Sequence, residues 1–112
     1  MDIPYSTNEV RVGTWIDGKP LYAILAKVMN TNPTTRAYFQ SFSDYGAQNV
    51  NFAFVEVGFT RYPSYNVFYT LQEAQCHVQL QMNSQQIVFI NNNTEGREQD
   101  IYALIKYTKS TD

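Results

Sequence analysis

The chain has 112 residues and a mass of 12.9 kDa, the size of one domain. Only 16% of its residues are charged, against roughly 25% in an ordinary soluble domain, while 15% are aromatic and ten Asn and nine Gln add neutral amides. Aromatic content argues against disorder, a net charge of −2 with a pI near 5.2 argues against nucleic-acid binding, and no apolar run approaches the roughly 20 residues of a membrane-inserted helix.

Residues 1–9 are polar around Pro4 and read as an arm preceding a single domain over residues 10–112. The first strand spans Val10 to Ile16, with Val10, Val12, Thr14 and Ile16 on one face. Asp17-Gly18 is the pair a two-residue type I′ hairpin favours, since both central positions need φ > 0. Pro20 stands at the mouth of the next strand, where a missing N–H is tolerated. Leu21 to Val28 is apolar on both faces, so it reads as a central strand. Asn30 to Thr35, with Pro33, is a loop, and Arg36 to Phe42 alternates as a further strand. Ser43 to Gln48 turns around Gly46. Val50 to Thr60 is the longest strand, with Ala53, Val55, Val57 and Phe59 on one face and Phe52, Phe54 and Glu56 on the other. Pro63 marks another turn, Asn66 to Leu71 a short strand, and Gln72 to Cys76 a connection. His77 to Asn91 is a hairpin turning at Asn83-Ser84. Asn91 to Gly96 is an amide-rich loop, and Ile101 to Thr108 the last strand. About seven or eight strands at this spacing predict an all-β, two-sheet antiparallel β-sandwich, jelly-roll-like. Strands apolar on both faces also predict an oligomer.

Chemistry for catalysis is sparse. His77 is the sole histidine and sits at a polar alternation position. Its neighbour Cys76 points to the opposite face of the strand, so the two do not make a nucleophile–base pair. A lone cysteine cannot close an intrachain disulfide and reads as a small core residue. Glu56 is the one mid-strand carboxylate; pairing with Arg61 or Arg36, or exposure at an edge, is expected of it. No metal-ligand spacing, phosphate loop or dinucleotide fingerprint occurs, so no catalytic residue, metal or cofactor is assigned. Asn92-Asn93-Thr94 fits the glycosylation sequon and is expected to go unused.

The positive signal lies in the loops. Tyr45, Tyr62 and Tyr65 accompany Asn66, Asn92, Asn93 and the donor Arg61. Sugars present apolar C–H faces ringed by hydroxyls. A flat aromatic covers the first, and amides carrying both donors and acceptors satisfy the second. These seven residues are the candidate saccharide site, and the Tyr and Asn mixture loses little rotamer freedom on binding.

Two segments carry a resemblance. Tyr5-Ser6-Thr7-Asn8-Glu9 leads into Val12-Gly13-Thr14-Trp15-Ile16-Asp17-Gly18-Lys19-Pro20-Leu21-Tyr22, and Tyr107-Thr108-Lys109-Ser110-Thr111-Asp112 ends the chain. Together they resemble a C-terminal module of bacteriophage and prophage tail fibres and minor structural proteins. In that family a GTWIDGKPLY hairpin opens the module and a YTKTTD tail closes it. Where the family usually carries a basic residue after the motif's Tyr, this chain has Ala23. The resemblance implies a β-sandwich at the distal end of a virion tail appendage, a homotrimer, and recognition of host cell-surface polysaccharide. It implies a scaffold role for Trp15, Asp17, Gly18 and Pro20. A purely structural trimerisation or capping domain is the alternative it leaves open.

Overall fold

The computed structural model describes residues 8–112. Of the expected arm, residues 1–7 therefore lie outside the described residues, but Glu9 belongs to the domain: its N–H donates to Tyr45 O at 3.1 Å. Eight antiparallel strands follow: β1 (Val10–Thr14), β2 (Pro20–Thr31), β3 (Ala37–Ser41), β4 (Val50–Tyr62), β5 (Val67–Thr70), β6 (Cys76–Gln81), β7 (Gln86–Asn91) and β8 (Gln99–Lys109). One 3-10 turn, Phe42–Tyr45, interrupts them. The strands form a five-stranded sheet in the order β1-β2-β8-β4-β5 and a three-stranded sheet in the order β3-β7-β6. This is the two-sheet all-β fold expected from the alternation. Pairing is nested, β2 with β8 and β3 with β7, so the chain wraps inward as jelly rolls do.

Both sheets turn an apolar face to one core. The larger sheet supplies Ile24 and Ala26 from β2, and Ile101, Ala103, Ile105 and Tyr107 from β8; the smaller supplies Ile87, Phe89 and Cys76. Phe42 and Tyr45 of the 3-10 turn close one side. A fully buried side chain of this kind contributes about 1.5–3 kcal/mol. Strand β8 lies between β2 and β4 and is buried along nearly its whole length, which is why it carries apolar residues on both faces.

Two local readings are corrected. The first hairpin does not use a type I′ turn. Gly18 has φ +88°, but Asp17 is not among the positive-φ residues. Gly18 N–H donates to Trp15 O at 2.9 Å and Trp15 N–H to Lys19 O at 2.8 Å. This is a three-residue loop with Gly18 in the left-handed position, the next commonest hairpin geometry. Asp17 Oδ1 accepts the Lys19 N–H at 3.0 Å and steadies it.

Strand β4 also departs from the expected alternation. Its register against β8 shifts between Val55 and Val57, a β-bulge at Glu56. The extra residue reverses the alternation. Ala53 and Val55 face the core, but beyond the bulge Gly58 and Thr60 do, and Val57 and Phe59 join Phe52 and Phe54 on the outer face. There Trp15 reaches across to Phe52 and Phe54, with ring centroids 5.2 and 5.5 Å away, and Phe59 stacks on Tyr102 at 4.8 Å. Glu56 pairs with Lys106 at 2.6 Å, not with Arg61 or Arg36.

One buried amide conflicts with the fold. Gln99 is fully buried, yet among the described residues neither its Nε2 nor its Oε1 has a hydrogen-bond partner. Removing an unpaired buried amide relieves its desolvation cost. Gln99→Met, close in shape, is therefore expected to raise stability by about 1 kcal/mol in urea unfolding. A loss of stability would mean that the amide is bonded through an ordered water.

Candidate functional site

The β2–β3, β4–β5 and β7–β8 connections and the start of β6 meet at one end of the sandwich. Antiparallel pairing puts the end of β4 beside the start of β8, and Cys76 beside Asn91. Thr31 and Asn91 tie the two sheets together there, Asn91 Nδ2 donating to Thr31 O and Oγ1, both at 3.1 Å.

Four of the seven candidate residues form one cluster on the β4–β5 turn. Asn66 adopts φ +53°, a conformation Asn tolerates, and its Oδ1 accepts from Arg61 Nε at 2.8 Å. Arg61 also pairs with Asp100 at 3.3 Å, and Asp100 Oδ1 accepts the Asn30 N–H at 2.8 Å. The guanidinium is thus locked between a turn and the start of β8. Tyr65 stands edge-on to Tyr62, centroids 5.5 Å apart at 74°. Arg97 lies over the Tyr62 ring at 5.2 Å and pairs with Glu95 at 3.4 Å. Tyr65 is 76% exposed, so one aromatic face is held rigidly in solvent.

Tyr45 and Asn93 do not belong to such a surface. Tyr45 is a buried core residue of the 3-10 turn, its hydroxyl bonded to Gln40 Oε1, to the Lys27 carbonyl and to the Lys27 N–H. Burial raises its phenol pKa above the ordinary value. A Tyr between loop-type residues reads as exposed, but here the chain coils inward for one turn and buries it. Asn93 is buried too; its Nδ2 donates to Ala74 O at 3.1 Å, and its Oδ1 accepts from Glu95 N and Arg97 N. It shapes the loop from inside. Asn92, between two buried asparagines, is half-buried, and among the described residues only its backbone is hydrogen-bonded, N–H to Gln75 O at 3.0 Å.

On the other side of the β7–β8 loop opens a cleft of about 750 Å³, lined by Leu71, Gln72, Gln75, Cys76, His77, Val78, Asn92 and Thr94. Gln75 Oε1 accepts from both the N–H and the hydroxyl of Thr94 at 2.9 Å, pinning the β5–β6 and β7–β8 loops together. Leu71 is fixed by Gly58, where a Cβ would come within 2.5 Å of its Cδ1. Burial pushes the Cys76 thiol up to about 11, so it is protonated and unreactive at neutral pH. Of these residues only Asn92 was marked by the sequence. Gln72, Gln75 and Thr94 meet across about 20 positions of chain, and no local pattern announces such a meeting. His77 is exposed at the cleft, as its polar alternation position suggested.

No family model, curated protein or solved structure matches the chain. Among the described residues there is no group of three or more His, Cys, Asp or Glu that could hold a metal ion.

Proposed function

We propose that the chain is a non-catalytic, saccharide-binding tip domain of a phage tail fibre or related receptor-binding protein, borne on the virion as a homotrimer. The observation that carries the binding reading is the Arg97–Tyr62–Tyr65 cluster, an exposed aromatic platform braced by a guanidinium and flanked by Arg61 and Asn66. A rigid aromatic face beside fixed donors suits a sugar ring, because little freedom is lost when the ligand docks. The tail-module reading rests on the resemblance of the two motif segments, which lie side by side in the larger sheet. Tyr22 stacks on Tyr107 at 5.7 Å, Lys109 sits 4.4 Å above the Tyr22 ring, and Lys19 Nζ donates to Lys109 O at 3.4 Å.

Tyr65→Ala is expected to weaken binding to host cell-wall polysaccharide about tenfold, or about 1.4 kcal/mol, with little change in Tm. The readout is a cell-wall pull-down or adsorption assay alongside a thermal melt. Unchanged binding in a Tyr62→Ala/Tyr65→Ala double variant would overturn the tyrosine platform as the binding surface.

A purely structural role, trimerisation or capping without a receptor site, is favoured by a different observation. On the outer face of the larger sheet Phe52, Val57 and Phe68 are 41%, 47% and 59% exposed. Apolar surface of this kind marks an interface, here proposed to lie between copies of the chain. Val57→Asp would then convert a trimer to monomer in light scattering. If that loss abolishes host adsorption while the tyrosine variants and Gln72→Ala, at the cleft, all adsorb normally, the structural role is the correct one.

A further inference from the structure

We infer that the cleft between the β5–β6 and β7–β8 loops is a binding site for an uncharged sugar unit, a site distinct from the tyrosine platform. The inference rests on the saccharide reading above and adds to it a location and a ligand class.

Gln72, Gln75, His77, Asn92 and Thr94 surround the opening, while Leu71 and Val78 supply apolar surface. No carboxylate, ammonium or guanidinium lines it. An acidic sugar or a phosphate-bearing polymer would enter with no compensating charge, which is costly. A neutral pyranose brings hydroxyls that both donate and accept, and amides answer both roles. Its C–H face matches Leu71 and Val78. The hollow is open to solvent on one side, so a sugar ring would rest on it rather than be enclosed.

Gln75 Oε1 is taken by Thr94, but among the described residues the side chains of Gln72, His77 and Asn92 make no hydrogen bond. The asparagines on either side of Asn92 bond inward at every turn, so the loop is rigid and Asn92 alone is presented. The cleft is thus fixed by its own scaffold while its outward donors and acceptors await a partner. Leu71 is held from behind at Gly58, so the apolar floor is also set before any ligand arrives.

The test uses the full chain, with side-chain amide and imidazole NMR signals as the readout. The probes are neutral oligosaccharides of glucose, galactose, rhamnose and N-acetylglucosamine, with glucuronate-containing oligosaccharides and glycerol phosphate as charged controls. A neutral probe is expected to shift Gln72, Gln75, Asn92 and His77, and Gln72→Ala and Asn92→Ala to weaken it at least tenfold each. Neither side chain has an internal partner, so both variants should melt as the parent does. Gly58→Ala, which displaces Leu71, should weaken the same probe while leaving Tyr62 and Tyr65 undisturbed. Shifts confined to Tyr62, Tyr65 and Arg97, and insensitive to Gln72→Ala and Asn92→Ala, would overturn the cleft site and leave the saccharide reading standing. Tighter binding of the charged controls would overturn the ligand class. Binding of no probe, together with no adsorption to host cell walls, would overturn both readings.

Discussion

Tyr107→Ala is expected to destabilise the domain by about 3–5 kcal/mol, the loss typical of a large aromatic removed from a packed core. Tyr107 is fully buried on the core face of β8, stacked on Tyr22 and 6.0 Å from the Phe42 ring that closes the sandwich. Its hydroxyl donates to Glu9 Oε1 at 2.6 Å, and Glu9 Oε2 holds Lys109 Nζ at 2.7 Å. Tyr107→Phe keeps the ring and deletes only that bond to a charged acceptor, so about 1.5–3 kcal/mol is expected at neutral pH. The two variants separate at alkaline pH. Burial, reinforced by the hydrogen bond to Glu9 and its charge, holds the phenol far above its ordinary value of 10.0. The unfolded phenol ionises near that ordinary value and the folded one does not. The stabilisation is therefore intact below pH 10 and falls as pH rises, by about 1.4 kcal/mol per unit. Cys76 adds a similar fall between its ordinary 9.0 and about 11. Tyr107→Phe lacks the Tyr107 contribution, so its urea midpoint should decline less steeply and meet the parent's between about pH 11 and pH 12. Parallel curves would show that Tyr107 does not govern alkaline unfolding.

The fold class was legible because a strand repeats every two residues, and the apolar sets of Ile101, Ala103, Ile105 and Tyr107 keep that period without interruption. Legibility stopped where the period breaks. The bulge at Glu56 is one extra residue in a strand of uniformly strand-like composition, and only the pairing with β8 reveals that Val57 and Phe59 changed face. The candidate site was half legible for a related reason. Tyr62, Tyr65, Arg61 and Asn66 are local to one turn, so a loop-composition argument finds them together. Burial of Asn93 and Tyr45 is decided by partners distant in sequence, Ala74 and Lys27, that composition does not name. The amide richness that first suggested a recognition surface therefore has two uses: part is internal wiring for the loops, and part faces outward from them.

Asn91→Ala draws that division most sharply and is expected to cost about 2–4 kcal/mol, lowering Tm by roughly 10 °C or more. Asn91 is fully buried where the two sheets meet. Its Nδ2 donates to Thr31 O and Oγ1 at 3.1 Å and to Arg97 O at 3.3 Å, and its Oδ1 accepts the Asn93 N–H at 3.0 Å. Truncation leaves the Thr31 and Arg97 carbonyls and the Asn93 N–H without their partner in a buried setting, and opens a cavity. Asn91→Asp should be at least as harmful, because a carboxylate keeps the acceptor but sets its second oxygen against carbonyls that need a donor. One position along, Asn92→Ala should leave Tm nearly unchanged. Both variants should lose neutral-sugar binding, but for different reasons: Asn91→Ala because the loop that carries Asn92 and Thr94 loses its anchor, Asn92→Ala because the presented amide is gone. Thermal melts compared with sugar titrations distinguish them. Equal stability of the two variants would mean that the Asn91 amide does not join the sheets, and the rigidity of the cleft would then need another source.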